Sequence, residues 1–332
     1  MEKPANSRIL VVRLGAMGDI IHTLPAVASL KHSYPGSHLT WVVEPQWAPL
    51  LAGNSFIDRI LLLRRGSPSA LRESWRNLRA ERYDFAVDFQ GLTKSALVAS
   101  AARAGRIFGF HHTQARERVA ALFYSDKSLS RSVHMVDRNL DLAAAAGAGS
   151  TVRSFPLPPG AAEGDLPPGD FVLASPLAGW RSKQWPLEHY RVLADLLRQH
   201  LGMPLVLDGP ASALALLAQV EGAIPHASTI PGLIHATRRA AAVVGVDSGP
   251  LHIAAALGKR GVAIYGPTDP ARNGPYGGSL RVLRGPSAAS YATRGNYRRG
   301  ANIDESMRSI SPGEVFEALR SVLGARQPAP AA

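Results

Sequence analysis

Short, unbroken apolar runs rich in β-branched and aromatic residues recur through both halves of the chain, each followed by a turn and a helix-like stretch. In the first half they are "RILVVRL" (8–14), "HLTWVVE" (38–44), "RILLL" (59–63) and "YDFAVDF" (83–89). Strands that are apolar at every position are buried on both faces, and such strands belong to parallel sheets covered by helices. Helical patterns over 19–33, 70–82 and 93–103 supply that cover. The second half repeats the scheme. Strands are expected in "FVLASPL" (171–177), "PLVLDG" (204–209), "AAVVGVD" (241–247), "GVAIYG" (261–266) and "RVL" (281–283), with helices over 187–201, 211–222, 249–258 and 312–323. The fold class is α/β, with two doubly wound parallel sheets.

Between the halves lies "FPLPPGAAEGDLPPGD" (155–170), whose five prolines and three glycines leave no room for a helix or a central strand. The expected organisation is a first domain over 1–154, a linker over 155–170, a second domain over 171–325 and a disordered tail over 326–332. Two domains suit a chain of 332 residues. Open α/β sheets bind ligands outside the carboxyl ends of their strands, so the expected site is a cleft lined by those ends of both sheets.

Basic residues exceed acidic ones by 12, which favours anionic partners. The absence of cysteine excludes disulfides and thiolate chemistry. "MEKPANSR" lacks the apolar core of a signal peptide, and no run reaches the ~18 apolar residues of a spanning helix, so the expectation is a soluble cytoplasmic protein. Nothing in the sequence specifies an oligomeric state.

Three stretches carry candidate chemistry. In "VVRLGAMGDIIHTLPAV" (11–27) a strand runs through a glycine loop into a helix, the form of a phosphate cradle, yet Asp19 stands where the first helical N–H groups would meet an anion. Two roles suit it: an N-cap for the helix, or a general base at the strand's carboxyl end, with flanking glycines giving substrate access. His22, one turn on, is either a partner on the same face or a hydrogen-bonded interior histidine.

The second stretch is "VVGVDSGPLHIAAALG" (243–258), a strand, a turn, and a helix with Pro250 in its first turn. Ser248, the Gly249 amide and His252 would face an anion at the positive end of the helix dipole. Asp247 is a candidate cap for the same helix. "YGPTDP" (265–270) brings Thr268 to the same mouth. The third, "SPLAGWRSKQWP" (175–186), holds Lys183 between Trp180 and Trp185, a compact charge suited to a diphosphate. An anion site in the second half and a carboxylate in the first describe group transfer. The spacing G-x-x-G is not the G-x-G-x-x-G of a dinucleotide enzyme. The basic residues are dispersed and form no recognisable nucleic-acid-binding module, so no nucleic-acid partner is expected.

These stretches, together with "WVVEP", "YDFAVDFQGLTKSALVA", "QARERVAALFY" and "GVDSGPLHIAAALGKRGVAIYGPTDPARNGPYG", resemble the bacterial ADP-heptose transferases of glycosyltransferase family 9 over most of the chain. The resemblance implies a GT-B fold of two Rossmann-like domains, an acceptor-binding first domain and a donor-binding second. It further implies inversion at the anomeric carbon, no metal and no cofactor, the nucleotide sugar being a substrate. The implied donor is ADP-L-glycero-D-manno-heptose. The implied acceptor is Kdo on lipid A, a phosphorylated glycolipid at the cytoplasmic face of the inner membrane. Another family 9 donor or acceptor is the nearest alternative.

Carried over residue by residue, Asp19 would be the catalytic base and Lys183 would hold the donor phosphates. Asp247, Ser248, Gly249 and His252 would line the donor pocket, and Gly15, Met17 and Gly18 would shape the acceptor side. Ser175 and Thr268 join the donor candidates, and His22, Arg64, Arg65, Lys94 and Arg116 the acceptor candidates. The chain also departs from the family. Ala178-Gly179 replaces paired threonines, so Gly179 would offer only its amide, and "GPASALAL" lacks the ribose-binding glutamate, which leaves Asp208 as the nearest carboxylate.

Overall fold

The computed structural model describes residues 6–285 and 301–324 and divides into two units, Met1–Pro158 and Pro159–Ala332. The Arg-rich 291–300 stretch and the expected tail over 326–332 lie outside the described residues.

The first unit holds strands β1 (Arg8–Val12), β2 (His38–Val43), β3 (Arg59–Leu62), β4 (Tyr83–Asp88), β5 (Ala104–Phe110) and β6 (Asp126–Ser128), and helices α1 (Met17–Ile21), α2 (Leu24–Ser33), α3 (Pro68–Arg79), α4 (Thr93–Ala101) and α5 (Met135–Ala145). All strand pairs are parallel in the order β3-β2-β1-β4-β5-β6. The central strands are buried throughout: Ile9 to Val12, Leu39 to Val43 and Phe85 to Asp88. That is the reason their sequences are apolar without alternation.

The second unit has β7 (Val172–Ser175), β8 (Leu205–Gly209), β9 (Ala223–Ala227), β10 (Ala242–Val246), β11 (Gly261–Tyr265) and β12 (Leu280–Arg284). Its helices are α6 (Leu187–Leu201), α7 (Leu214–Leu217), α8 (Ile230–Arg239), α9 (Gly249–Ala256), α10 (Pro270–Asn273), α11 (Glu305–Arg308) and α12 (Pro312–Gly324). The order β12-β11-β10-β7-β8-β9 is the first sheet's order again, counted from β7. In both sheets the chain reverses direction across the sheet beside the first strand, between β1 and β4 and between β7 and β10. Loops leaving those strands part to opposite faces, which opens a crevice for a ligand.

Two helices differ from expectation. The helix over 19–33 is two helices, because the Thr23 hydroxyl donates to the Asp19 carbonyl (2.8 Å) and Pro25 opens a new first turn. The helix over 211–222 shrinks to a 3-10 turn at Ala211–Ala213 and the single turn α7. Strands β5, β6 and β9 and helices α5 and α8 were not apparent from the apolar pattern. The proline-rich stretch has no helix or strand, but it is fastened at points. The Asn54 amide donates to the Pro156 carbonyl (3.3 Å), and Glu163 accepts from the Thr229 amide (2.7 Å) and hydroxyl (2.5 Å).

Candidate active site

In the first unit, Arg13 sits one residue beyond β1 and is fully buried. An interior guanidinium must find partners. One nitrogen donates to the Phe89 carbonyl, and Nη2 lies 2.9 Å from Asp19 Oδ1. Arg116, half-exposed, donates to Asp19 Oδ2 at 3.0 Å. The carboxylate that seems misplaced in a phosphate loop is thus held between two cations. Burial pulls the Arg13 guanidinium below its ordinary range, opposed chiefly by the charge on Asp19.

The N-cap of α1 is Ala16 and Asp19 is the third helical residue, so the capping role does not apply. The glycine argument also changes. A Cβ on Gly15 would lie 2.6 Å from the Trp47 indole nitrogen, so this glycine makes room for Trp47. His22 is buried with its ring 5.5 Å from that of His134, edge to face, while its carbonyl accepts from Asn139 (2.9 Å). It is an interior histidine. Met17 and Gly18 lie partly exposed in the first turn of α1.

The loop after β1 is tied to the loop after β4. Gln90 Oε1 accepts from the amides of Leu14 (2.7 Å) and Gly15 (3.4 Å). Asp88, fully buried at the end of β4, accepts from Tyr124 (2.7 Å), Ser95 (2.8 Å) and the Gln90 and Gly91 amides (2.8 and 3.3 Å). Burial nevertheless pushes the Asp88 carboxyl above its ordinary range, outweighing those four donors. At the same edge of the sheet, Glu44 gathers Arg65 and Lys94, the latter at 3.5 Å. Arg64 is exposed, and its backbone amide donates to Ser74 (2.9 Å). The basic acceptor candidates therefore lie on loops beyond β3 and β5 and at the start of α4.

In the second unit, Lys183 lies in a 3-10 turn (Arg181–Lys183) anchored on both sides. The Ser182 carbonyl accepts from the Asp304 amide (3.3 Å), and the buried Trp185 indole donates to the Ile310 carbonyl (2.9 Å). The lysine ammonium stands 2.6 Å from Asp247 Oδ2 and 4.6 Å above the Trp180 ring. His252 Nε2 is 3.9 Å from the other oxygen of Asp247. Ser248 is the N-cap of α9 yet makes no capping bond, so Asp247, engaged with Lys183, is not the cap. The hydroxyls of Ser248 and Thr268 are buried without a hydrogen-bond partner among the described residues. They follow β10 and β11, which pair side by side. Ser248 at the N-terminus of α9 directly follows Asp247, the partner of the Lys183 ammonium, and a helix N-terminus with a cation at hand suits an anion.

Two expected donor contacts are placed elsewhere. Asp208 is buried, and its Oδ1 accepts from Ser228 (2.7 Å) and lies 2.8 Å from His226 Nδ1, so it belongs to an interior network rather than a nucleotide site. Ser175 is buried and lines a cavity of about 10 Å³ with Thr237 and Leu251, under α9. Gly179 is exposed, with open space around it. Among the described residues no three His, Asp or Glu side chains converge as a metal site, and no helix is long and apolar enough to cross a membrane.

The family model of glycosyltransferase family 9 (heptosyltransferase) matches residues 71–298. The chain belongs to glycosyltransferase family 9. It is 31% identical to lipopolysaccharide heptosyltransferase 1 of Escherichia coli K12, over 84% of this chain and 94% of that protein. It is 29% identical to lipopolysaccharide heptosyltransferase 1 of Pseudomonas aeruginosa, over 82% of each. Among solved structures it superimposes on E. coli heptosyltransferase WaaC with ADP at a TM-score of 0.77 and 27% identity, covering 95% of this chain and 99% of that one. WaaC with ADP-2-deoxy-2-fluoro heptose gives 0.74 over the same shares. The expected α/β class and GT-B membership hold, and the chain is a glycosyltransferase. Sequence reasoning overlooked Arg13, Asp88 and Gln90 in this family 9 enzyme. The available signal was a charged residue inside an otherwise apolar strand, since a buried charge needs a stated partner.

Proposed function

We propose that this chain transfers heptose from ADP-L-glycero-D-manno-heptose to a Kdo hydroxyl of the lipopolysaccharide inner core, at the cytoplasmic face of the inner membrane. The observation that carries the reading is the Lys183–Asp247 pair at the N-terminus of α9, where the Ser248 hydroxyl has no hydrogen-bond partner among the described residues. The relatives bearing the heptosyltransferase name, and the WaaC structures with ADP and a fluoro-heptose nucleotide, supply the sugar and the base.

In this reading Asp19 accepts the proton of the acceptor hydroxyl as that oxygen forms a bond to the anomeric carbon. The anomeric carbon–oxygen bond to ADP breaks on the opposite face, and the configuration inverts. Negative charge grows on the departing diphosphate. Lys183, the Ser248 and Thr268 hydroxyls and the α9 N-terminus absorb it, the work that a metal has in other transferases. Arg13 and Arg116 fix the direction of the Asp19 lone pairs. Arg64, Arg65 and Lys94 offer charge to the carboxylate and phosphates of the acceptor.

A second reading keeps the chemistry and changes the nucleotide, because Gly179 carries no hydroxyl and Asp208 is held inside. One experiment addresses both. ADP-heptose and a panel of other nucleotide sugars are each incubated with a Kdo-terminated acceptor, and products are weighed by mass spectrometry. Addition of one heptose from ADP-heptose alone is the expected result. Preference for another nucleotide sugar would establish the second reading, and no transfer from any donor would remove both.

A further inference from the structure

Helix α3 carries Arg72, Arg76 and Arg79 at i, i+4 and i+7, one stripe of a helix surface. Like charges at that spacing repel and weaken a helix. The one carboxylate of α3, Glu73, follows Arg72 directly and so lies off the stripe. A fourth arginine joins from another element. Arg103, just past α4, has φ +56°, a left-handed conformation normally given to glycine at a helix end. Among the described residues none of these four guanidinium groups makes a hydrogen bond or an ion pair. They surround a groove of about 890 Å³ whose remaining wall is Ser69, Leu71, which is 43% exposed, and the half-buried Trp75.

Each of these features is unfavourable to the free protein: a self-repelling stripe, a strained arginine, an uncovered leucine. All three converge on one groove: a ligand there would quench the repulsion and cover the leucine, while the left-handed backbone holds the Arg103 side chain at its rim. We propose that this groove is a docking surface for anionic phospholipid. Headgroup phosphates would sit among the four arginines, with Leu71 and Trp75 entering the boundary of the acyl chains. Arginines on the polar flank of a helix with Trp and Leu alongside are the composition of an interfacial helix. A nucleic acid would also meet the charge and could stack a base on Trp75, but the exposed Leu71 beside it offers neither a stacking plane nor a hydrogen bond and suits an acyl chain better. The surface lies within the first unit, and the inference does not rest on the proposed heptose transfer.

The test is partition of the full chain onto vesicles of phosphatidylglycerol with phosphatidylcholine, against phosphatidylcholine alone. The wild type is expected to bind the anionic vesicles, less tightly as salt rises. Replacing Arg72, Arg76 and Arg79 together by Gln should weaken partition roughly 100-fold. A matched variant, R191Q/R198Q/R320Q in the second unit, removes the same charge and should keep binding. Arg103→Gly suits the left-handed backbone, so it should preserve the melting temperature while weakening partition roughly fivefold. Equal loss in the matched variant, undiminished binding in the α3 variant, or a wild type that ignores anionic vesicles would overturn the proposal. So would binding abolished by inorganic phosphate at matched charge, or duplex DNA bound in preference to lipid. Transfer to a soluble acceptor, unaffected by the α3 changes, keeps this result separate from the catalytic one.

Discussion

Arg13 Nη2 and Asp19 Oδ1 are 2.9 Å apart, one group wholly buried and the other facing outward from the first turn of α1. The same guanidinium is bound to the Phe89 carbonyl beyond β4. The carboxylate proposed as the base is therefore oriented by the sheet itself, through a side chain that links two adjacent strand ends.

Replacing Asp19 by Asn should lower kcat by on the order of 10²–10⁴ while leaving donor affinity unchanged, measured by turnover and by calorimetry with ADP. Retained turnover would end its assignment as the base.

Arg13→Lys keeps the charge and loses the fork that bridges Asp19 to Phe89. We expect kcat to fall about tenfold or more with donor KM unaltered, and stability to drop by about 1–3 kcal/mol. A variant that melts lower but turns over normally would make Arg13 purely structural.

Ser248→Ala separates binding from folding. Its hydroxyl has no hydrogen-bond partner among the described residues, so its loss should shift the melting temperature little, while donor KM rises several-fold to about tenfold. Lost stability with normal KM would show that the hydroxyl serves the fold.

Lys183→Met should weaken ADP binding and slow transfer together, and it also leaves Asp247 without its partner. Converting both to uncharged residues distinguishes the effects: stability should recover relative to the single change, and donor binding should not. Restored ADP binding in the double variant would remove the lysine from the donor site.

Asp88 gives a pH signature. Its native carboxyl titrates above the unfolded value, so between those values the folded state holds the extra proton. Its contribution is full below the unfolded value and is lost as pH rises through the native one. Urea midpoints from about pH 4 to 7 should decline less steeply for Asp88→Asn than for the wild type. Identical slopes would mean that Asp88 is ionised throughout.

Much of the fold was legible, for physical reasons. Helix α6 appears over 187–201 as expected, because Pro186 precedes it, its apolar stripe faces the core, and Gly202 ends it in the left-handed conformation. Helix α8, not expected from the sequence, starts at Ile230 with Pro231 in its first turn, where a proline costs a helix nothing. Local motifs located Asp19, Lys183, Asp247 and Ser248. The partners that orient Asp19 and its loop were not local: Arg13 meets Phe89, and Leu14 meets Gln90, across 76 positions of sequence. Only the pairing of β1 with β4 brings them together.

At the proposed donor site, the contact between Lys183 and Asp247 has a consequence for selectivity. In the free protein the ammonium already has a tethered carboxylate as its counterion, so any visitor must outbid a resident monoanion. Chloride or a singly charged metabolite gains little by the exchange, whereas a diphosphate carries charge to spare for the lysine, the helix terminus and both hydroxyls at once. The resident aspartate thereby sets a charge threshold for admission.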